Sequence, residues 1–269
     1  MASVTTVSRA PANAPTPSAP VPRWGLRDAG VGFVVALLLS VIGASIVLSA
    51  GGWDTVDDAP MWATTVMQIP LWAGLAGAVV VAVRRRGSGS LRADVGFELR
   101  ASDVPLGIVL GVAAQFVLSY VLMWPVLRLL DRSFDEYSEP ARELADKAQA
   151  SSTAGVVLFV VLAVVMAPLV EELFYRGLVH RSAVRLIGVP GGIALTALVF
   201  GVSHGQALQL LPLVTFGVVL SVLAQRTGRL GPGIVTHAAF NATTVVMLLL
   251  DDGAADALHA SARLVHSLW

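Results

Sequence analysis

Glu171 and Glu172 stand side by side near the end of the long apolar run Gly155–Val179 (GVVLFVVLAVVMAPLVEELFYRGLV), with Arg176 one turn further on. An ionisable side chain inside a lipid-spanning helix costs roughly 2.5–3.5 kcal/mol on insertion scales, so three within six positions point to use. Two later apolar runs each carry a histidine: Phe200 and His204 share a helical face at i, i+4, and so do His237 and Asn241. A carboxylate, two imidazoles and a carboxamide can activate a water and stabilise an oxyanion. Two histidines with a carboxylate can equally make a three-ligand zinc site with an open water position.

Helix geometry sorts the two acids. Successive residues diverge by about 100°, so Glu171 and Glu172 cannot point at one spot. Glu172 and Arg176 are four apart with the acid first, the favourable order for an ion pair. That makes Glu172 structural and leaves Glu171 available to another part of a bundle. A lone histidine among apolar residues is more often a satisfied core group than a catalyst. Polar groups on three separate spans change that balance, because such residues usually face a shared interior.

The elements that must position these groups are membrane helices. Of the 269 residues 55% are hydrophobic and 13% charged, against about 25% charged in soluble domains, and the mean hydropathy is +0.75. Zero formal net charge and the lack of a basic stripe argue against a nucleic-acid partner. No cysteine is present, which removes disulfides, thiolate metal sites and a cysteine nucleophile. The bias to Ala, Val, Gly and Arg suggests a GC-rich bacterial origin, and so a multi-pass protein of a bacterial plasma membrane.

Apolar stretches of about twenty residues mark spans. They predict an all-α polytopic bundle of about seven transmembrane helices at 30–50, 61–83, 104–130, 155–180, 190–205, 208–224 and 232–250. Arginines cluster in alternate connections: Arg9, Arg23 and Arg27; Arg84, Arg85, Arg86, Arg92 and Arg100; Arg181 and Arg185; Arg226 and Arg229. The other connections carry Asp54, Asp57 and Asp58, then an acidic stretch at 131–147, then Asp251 and Asp252. The positive-inside rule therefore sets the N-terminus in the cytoplasm. Residues 1–28 read as a disordered cytoplasmic tail, 29–250 as the membrane domain with its reactive core at 155–250, and 251–269 as a short C-terminal tail. Residues 135–150 read as a polar helix on the outer surface.

EELFYRG, FGVSH and HAAFN, in that order and each in its own span, resemble the EExxxR, FxxxH and HxxxN signatures of the CAAX-processing and bacteriocin-processing intramembrane proteases, the type II CAAX prenyl endopeptidase-like (CPBP/Abi) family. The resemblance covers about 155–245. It implies an intramembrane endopeptidase in which Glu171 is the general base and His204 holds the attacking water with it. It further implies that His237 and Asn241 form the oxyanion site, while Glu172, Arg176 and Phe200 support them. The cofactor stays open between none and zinc. No HExxH occurs, and an Asn beside His237 suits oxyanion binding better than ligation. Expected partners are the bilayer and membrane-associated peptides or proteins; the sequence sets no oligomeric state.

Other readings compete. GVSHG is loosely similar to the GxSG serine of rhomboid proteases, with Ser203 pairing with His237, but this leaves the glutamates and Asn241 unexplained. An aspartyl protease lacks any Asp within a predicted span, and a transporter would show an internal repeat. A non-proteolytic scaffold or bacteriocin self-immunity protein could keep the fold, although it would have no need of a desolvated base beside an oxyanion site. Gly107/Gly111 and Gly201/Gly205 are small-residue pairs common in such spans.

One requirement follows from helix length. At 1.5 Å per residue, Glu171 lies about 15 Å before Arg181, His237 about 12 Å beyond Arg229 and His204 about 20 Å beyond Gly191. A shared site needs the fifth span to tilt, to start inside the membrane, or to follow an in-plane segment at 181–189.

Overall fold

The computed structural model describes residues 22–266, without the side chains of Leu249 and 251–266. All regular structure among the described residues is helical: α1 (Leu26–Gly51), α2 (Met61–Arg86), the short α3 (Leu91–Val95), α4 (Asp103–Leu130), α5 (Phe134–Ser151), α6 (Thr153–Ser203), α7 (Leu210–Thr227) and α8 (Gly231–His266). Five of them, α1, α2, α4, α6 and α7, are long and apolar enough to cross a membrane. The chain is an all-α, multi-pass membrane protein. Its outward faces fit that solvent, since Val31, Leu38 and Val41 on α1 and Val109 and Val121 on α4 are exposed, a surface that water would penalise.

The expected fourth and fifth spans are two arms of α6. They meet where Ile187 and Gly188 leave helical geometry, Gly188 at φ 74°, a conformation that favours glycine. The expected seventh span is the first part of α8. Of the tail expected at 1–28, residues 1–21 lie outside the described residues, and α1 begins at Leu26. Of 251–269, the backbone is helical to His266 and the last three residues lie outside the described ones.

The turn in α6 meets the length requirement in a way the sequence does not suggest. The first arm does not stop near Arg181 but continues to Ile187, and the second starts at once rather than at Gly191. Glu171 therefore lies sixteen residues before Ile187 and His204 sixteen after Gly188, about 24 Å in each case. Equal arms return His204 to the level of Glu171 without an in-plane segment. The arms are close at the turn, where a Cβ on Gly192 would lie 2.8 Å from the backbone nitrogen of Val184.

The remaining helices hold α8 against this hairpin. A Cβ at Gly107 would lie 2.9 Å from the nitrogen of Thr236, and one at Gly111 would lie 2.8 Å from that of Phe240. The Gly107/Gly111 pair is thus an internal seam between α4 and α8, with close backbone approach of the kind small residues permit. At the arginine-bearing end, Asp103 accepts two hydrogen bonds from Arg229 (2.7 and 2.9 Å). Leu230 N–H donates to Gly96 O at 2.8 Å and Arg181 Nη2 to Gly228 O at 2.7 Å. The positive charges of these connections therefore also fasten the start of α8. The Asp103 carboxylate stabilises the Arg229 cation and holds its pKa above the ordinary value. Helix α5 is set by a capping box, with Ser133 and Glu136 each accepting from the other's backbone N–H (3.1 and 2.8 Å).

Candidate active site

The first arm of α6 carries the acids through a wide turn over Glu172–His180, with backbone bonds of the i to i+5 type. Such turns occur often at functional sites. Glu172 and Arg176 keep the predicted ion pair, Arg176 Nη1 donating to Glu172 Oε1 at 2.7 Å, and both residues are fully buried. Arg176 Nη2 also donates to Gly217 O on α7 at 3.2 Å, and its guanidinium lies 4.4 Å from the centre of the Phe200 ring. A planar cation bound on several sides tolerates burial better than an isolated one.

Glu171 faces the other way. Its Oε2 is shielded from solvent and has no hydrogen-bond partner, and the two predicted histidines converge on that same atom. His204 Nε2 is 3.9 Å from it and His237 Nε2 is 4.0 Å. Both distances exceed direct hydrogen bonds. A water about 2.8 Å from Oε2 and from either nitrogen would subtend about 90° between them, close to its own bond angle.

The far side of each ring fixes its orientation. His204 Nδ1 lies 2.7 Å from Phe200 O; a carbonyl only accepts, so Nδ1 carries a proton and Nε2 is the nitrogen turned toward Glu171. His237 Nδ1 lies 3.1 Å from Glu172 Oε1, another acceptor, so this nitrogen donates too. Phe200 packs edge-on against both imidazoles (centroids 4.8 and 5.8 Å), and Phe216 from α7 against His237 at 5.4 Å. Asn241 is near this layer but tethered, its Nδ2 donating to Ala163 O at 2.8 Å; the amide keeps a second N–H and its oxygen.

The structure thus brings Glu171, His204 and His237 together around one oxygen, places Glu172, Arg176 and Phe200 behind them, and sets Asn241 at the edge. Ser203 is occupied elsewhere: it donates to Phe200 O at 2.8 Å and accepts from Tyr175 at 2.7 Å, with neither histidine among its partners. Tyr175 was not singled out from the sequence, although it stands four residues after Glu171 and so near it on the helix. Phe216 carried no signal, being one aromatic in an apolar run.

The donor types suit zinc, and the Nδ1 contacts to a carboxylate and a carbonyl resemble those that orient metal-binding histidines. The spacing does not. Ligands about 2.0 Å from tetrahedral zinc lie roughly 3.3 Å apart, closer than the 3.9 and 4.0 Å here. Among the described residues no group of three His, Cys, Asp or Glu side chains is arranged to hold a metal.

Residues 153–243 match the family model described as Type II CAAX prenyl endopeptidase Rce1-like. The chain carries an Rce1-like domain. It spans α6, α7 and the first part of α8, the elements that supply every residue of the polar layer. Helices α1 to α5 lie outside the Rce1-like domain and brace it. Comparison with curated proteins and with solved structures gives no match.

Proposed function

We propose that the chain is an intramembrane endopeptidase that hydrolyses peptide bonds of membrane-associated peptides or proteins, with Glu171 as general base. The observation that carries this reading is the convergence of two imidazole nitrogens on the unpartnered Oε2 of Glu171. A water there gives one hydrogen bond to Glu171 and one to the Nε2 lone pair of His204, leaving an oxygen lone pair for attack. As the water oxygen bonds to the scissile carbonyl carbon, its proton passes to Glu171. When the C–N bond breaks, Glu171 returns that proton to the departing amine.

Charge then develops on the carbonyl oxygen. His237 can donate to it from Nε2–H, its ring held in place by the Nδ1 contact to Glu172. The second N–H of Asn241 is the other donor. The assignment of an Rce1-like domain supports this class of chemistry; prenylated substrates fit poorly with a bacterial origin, and membrane peptides fit better.

The test is reconstitution in vesicles with a quenched membrane-peptide substrate. Wild type should cleave, Glu171→Ala should not, and Ser203→Ala should retain activity. Full activity in Glu171→Ala would remove the hypothesis. Chelator sensitivity restored by zinc would replace water activation by side chains alone with a metal-assisted route. A wild type without turnover would leave the scaffold or self-immunity reading.

A further inference from the structure

A cavity of about 570 Å³ lies between the middle of α4, the start of α5, the start of α7 and α8. Gln115, Ser119, Tyr137, Gln209, Leu213 and Phe240 are among its lining residues. It contains none of the catalytic candidates, yet it adjoins them. The Phe240 ring stacks on Phe216 at 4.2 Å, and Phe216 packs on His237 at 5.4 Å. Gln209 ends the short connection that begins at His204.

From the proposed endopeptidase reading, on which this step rests, we infer that the cavity is a substrate subsite for an apolar side chain on an extended peptide. One feature points to a peptide rather than an acyl chain. Most of the wall is apolar, but Gln115, with 7% of its surface exposed, leaves Oε1 without a partner. Its Nε2 donates to Ser119 Oγ at 3.1 Å. If the carboxamide is turned over, Ser119 satisfies the oxygen and the nitrogen is orphaned instead. Either way one carboxamide atom is left unpaired and enclosed in the wall, and a turn of the side chain toward the cavity would let a peptide group satisfy it, which a hydrocarbon cannot. The backbone beside it is also unusual, since α4 opens into a wide turn over Val117–Leu122.

The two ring contacts put the Phe240 wall of the cavity no more than about 10 Å from the His237 ring, at most about three residues along an extended chain at 3.3 Å each. The subsite therefore reads a residue no more than about three positions from the bond cleaved, while Gln115 holds the adjoining backbone amide.

The experiment has two arms. The first follows cleavage of quenched peptides that differ only at that position. Wild type should prefer a large apolar residue over Asp by at least tenfold in kcat/KM. Leu213→Trp, which fills the cavity, and Gln115→Leu, which removes the amide, should each raise KM about five- to tenfold with kcat changed less than threefold. The second arm replaces Tyr120, also on the lining, with a photoreactive phenylalanine analogue in the Glu171→Ala protein and asks whether the peptide is cross-linked. Cleavage with no positional preference, unaltered KM in both variants, or cross-linking to lipid in place of peptide would each overturn the subsite and leave the endopeptidase standing. Peptide cross-linking in a protein whose wild type never cleaves would keep the subsite and remove the endopeptidase.

Discussion

Two faces of one helix turn hold the same side chain in opposite conditions. On one face Glu172 is fully buried, with its Oε1 bonded to Arg176 at 2.7 Å and to His237 at 3.1 Å. On the other, Glu171 keeps 19% of its side chain exposed, and two imidazoles stand just beyond reach of its Oε2; both acids leave Oε2 unbonded, but only Glu172 has an oxygen held by two partners. The first is what a structural charge requires, since a buried ion is tolerable only when paired on several sides. The second is what a reactive carboxylate requires: access, and neighbours set at a water's distance. Placing the two acids in adjacent positions lets one turn both anchor His237 and aim the Glu171 carboxylate at the two imidazoles.

Breaking the buried face should have the largest effect on folding. Arg176→Leu leaves Glu172 uncompensated and should cost about 3–5 kcal/mol, read as a large fall in thermal stability in detergent. A small change would mean that the pair does not hold the turn. On the open face, His237→Ala should reduce turnover by about 10²–10³ with a stability loss smaller than that of Arg176→Leu. Comparable losses of stability would place His237 with the scaffold.

Further from both faces, Asp103→Asn weakens the clamp on the start of α8. It should cost about 2 kcal/mol and lower turnover only as far as the protein unfolds, which a stability curve beside an activity assay at low temperature separates. The smallest effect is expected for Ser203→Ala, within about threefold of wild type, because the hydroxyl only ties Tyr175 to the end of the second arm. A loss of 10² or more would make Ser203 a reactant.

The buried face was the part most legible in the sequence, because Glu172 and Arg176 sit four apart on one helix and need no other element to meet. Apolar run lengths located the spans for the same local reason. The turn at Ile187–Gly188 was not legible. Arginines at 181 and 185 suggest the end of a span, but a helix need not end with its apolar run, and α6 stays helical past them to the break at Ile187–Gly188. The Glu172–His237 contact, 65 residues apart, depends on how α8 is rotated against α6. That rotation is set by the Gly107/Gly111 seam and the Asp103–Arg229 clamp, neither of which belongs to the motifs. Tyr175 and Phe216 gain their places only once the helices are assembled.

The central claim is that the two acids differ in kind, and isosteric replacement tests it most directly. Glu171→Gln and Glu172→Gln, prepared in parallel, should be compared for turnover of the quenched peptide and for thermal stability. Glu171→Gln should fold as stably as wild type while losing about 10²–10⁴ in turnover, and Glu172→Gln should be markedly destabilised. Two variants alike in both measurements, or a Glu171→Gln protein that cleaves at the wild-type rate, would contradict the account.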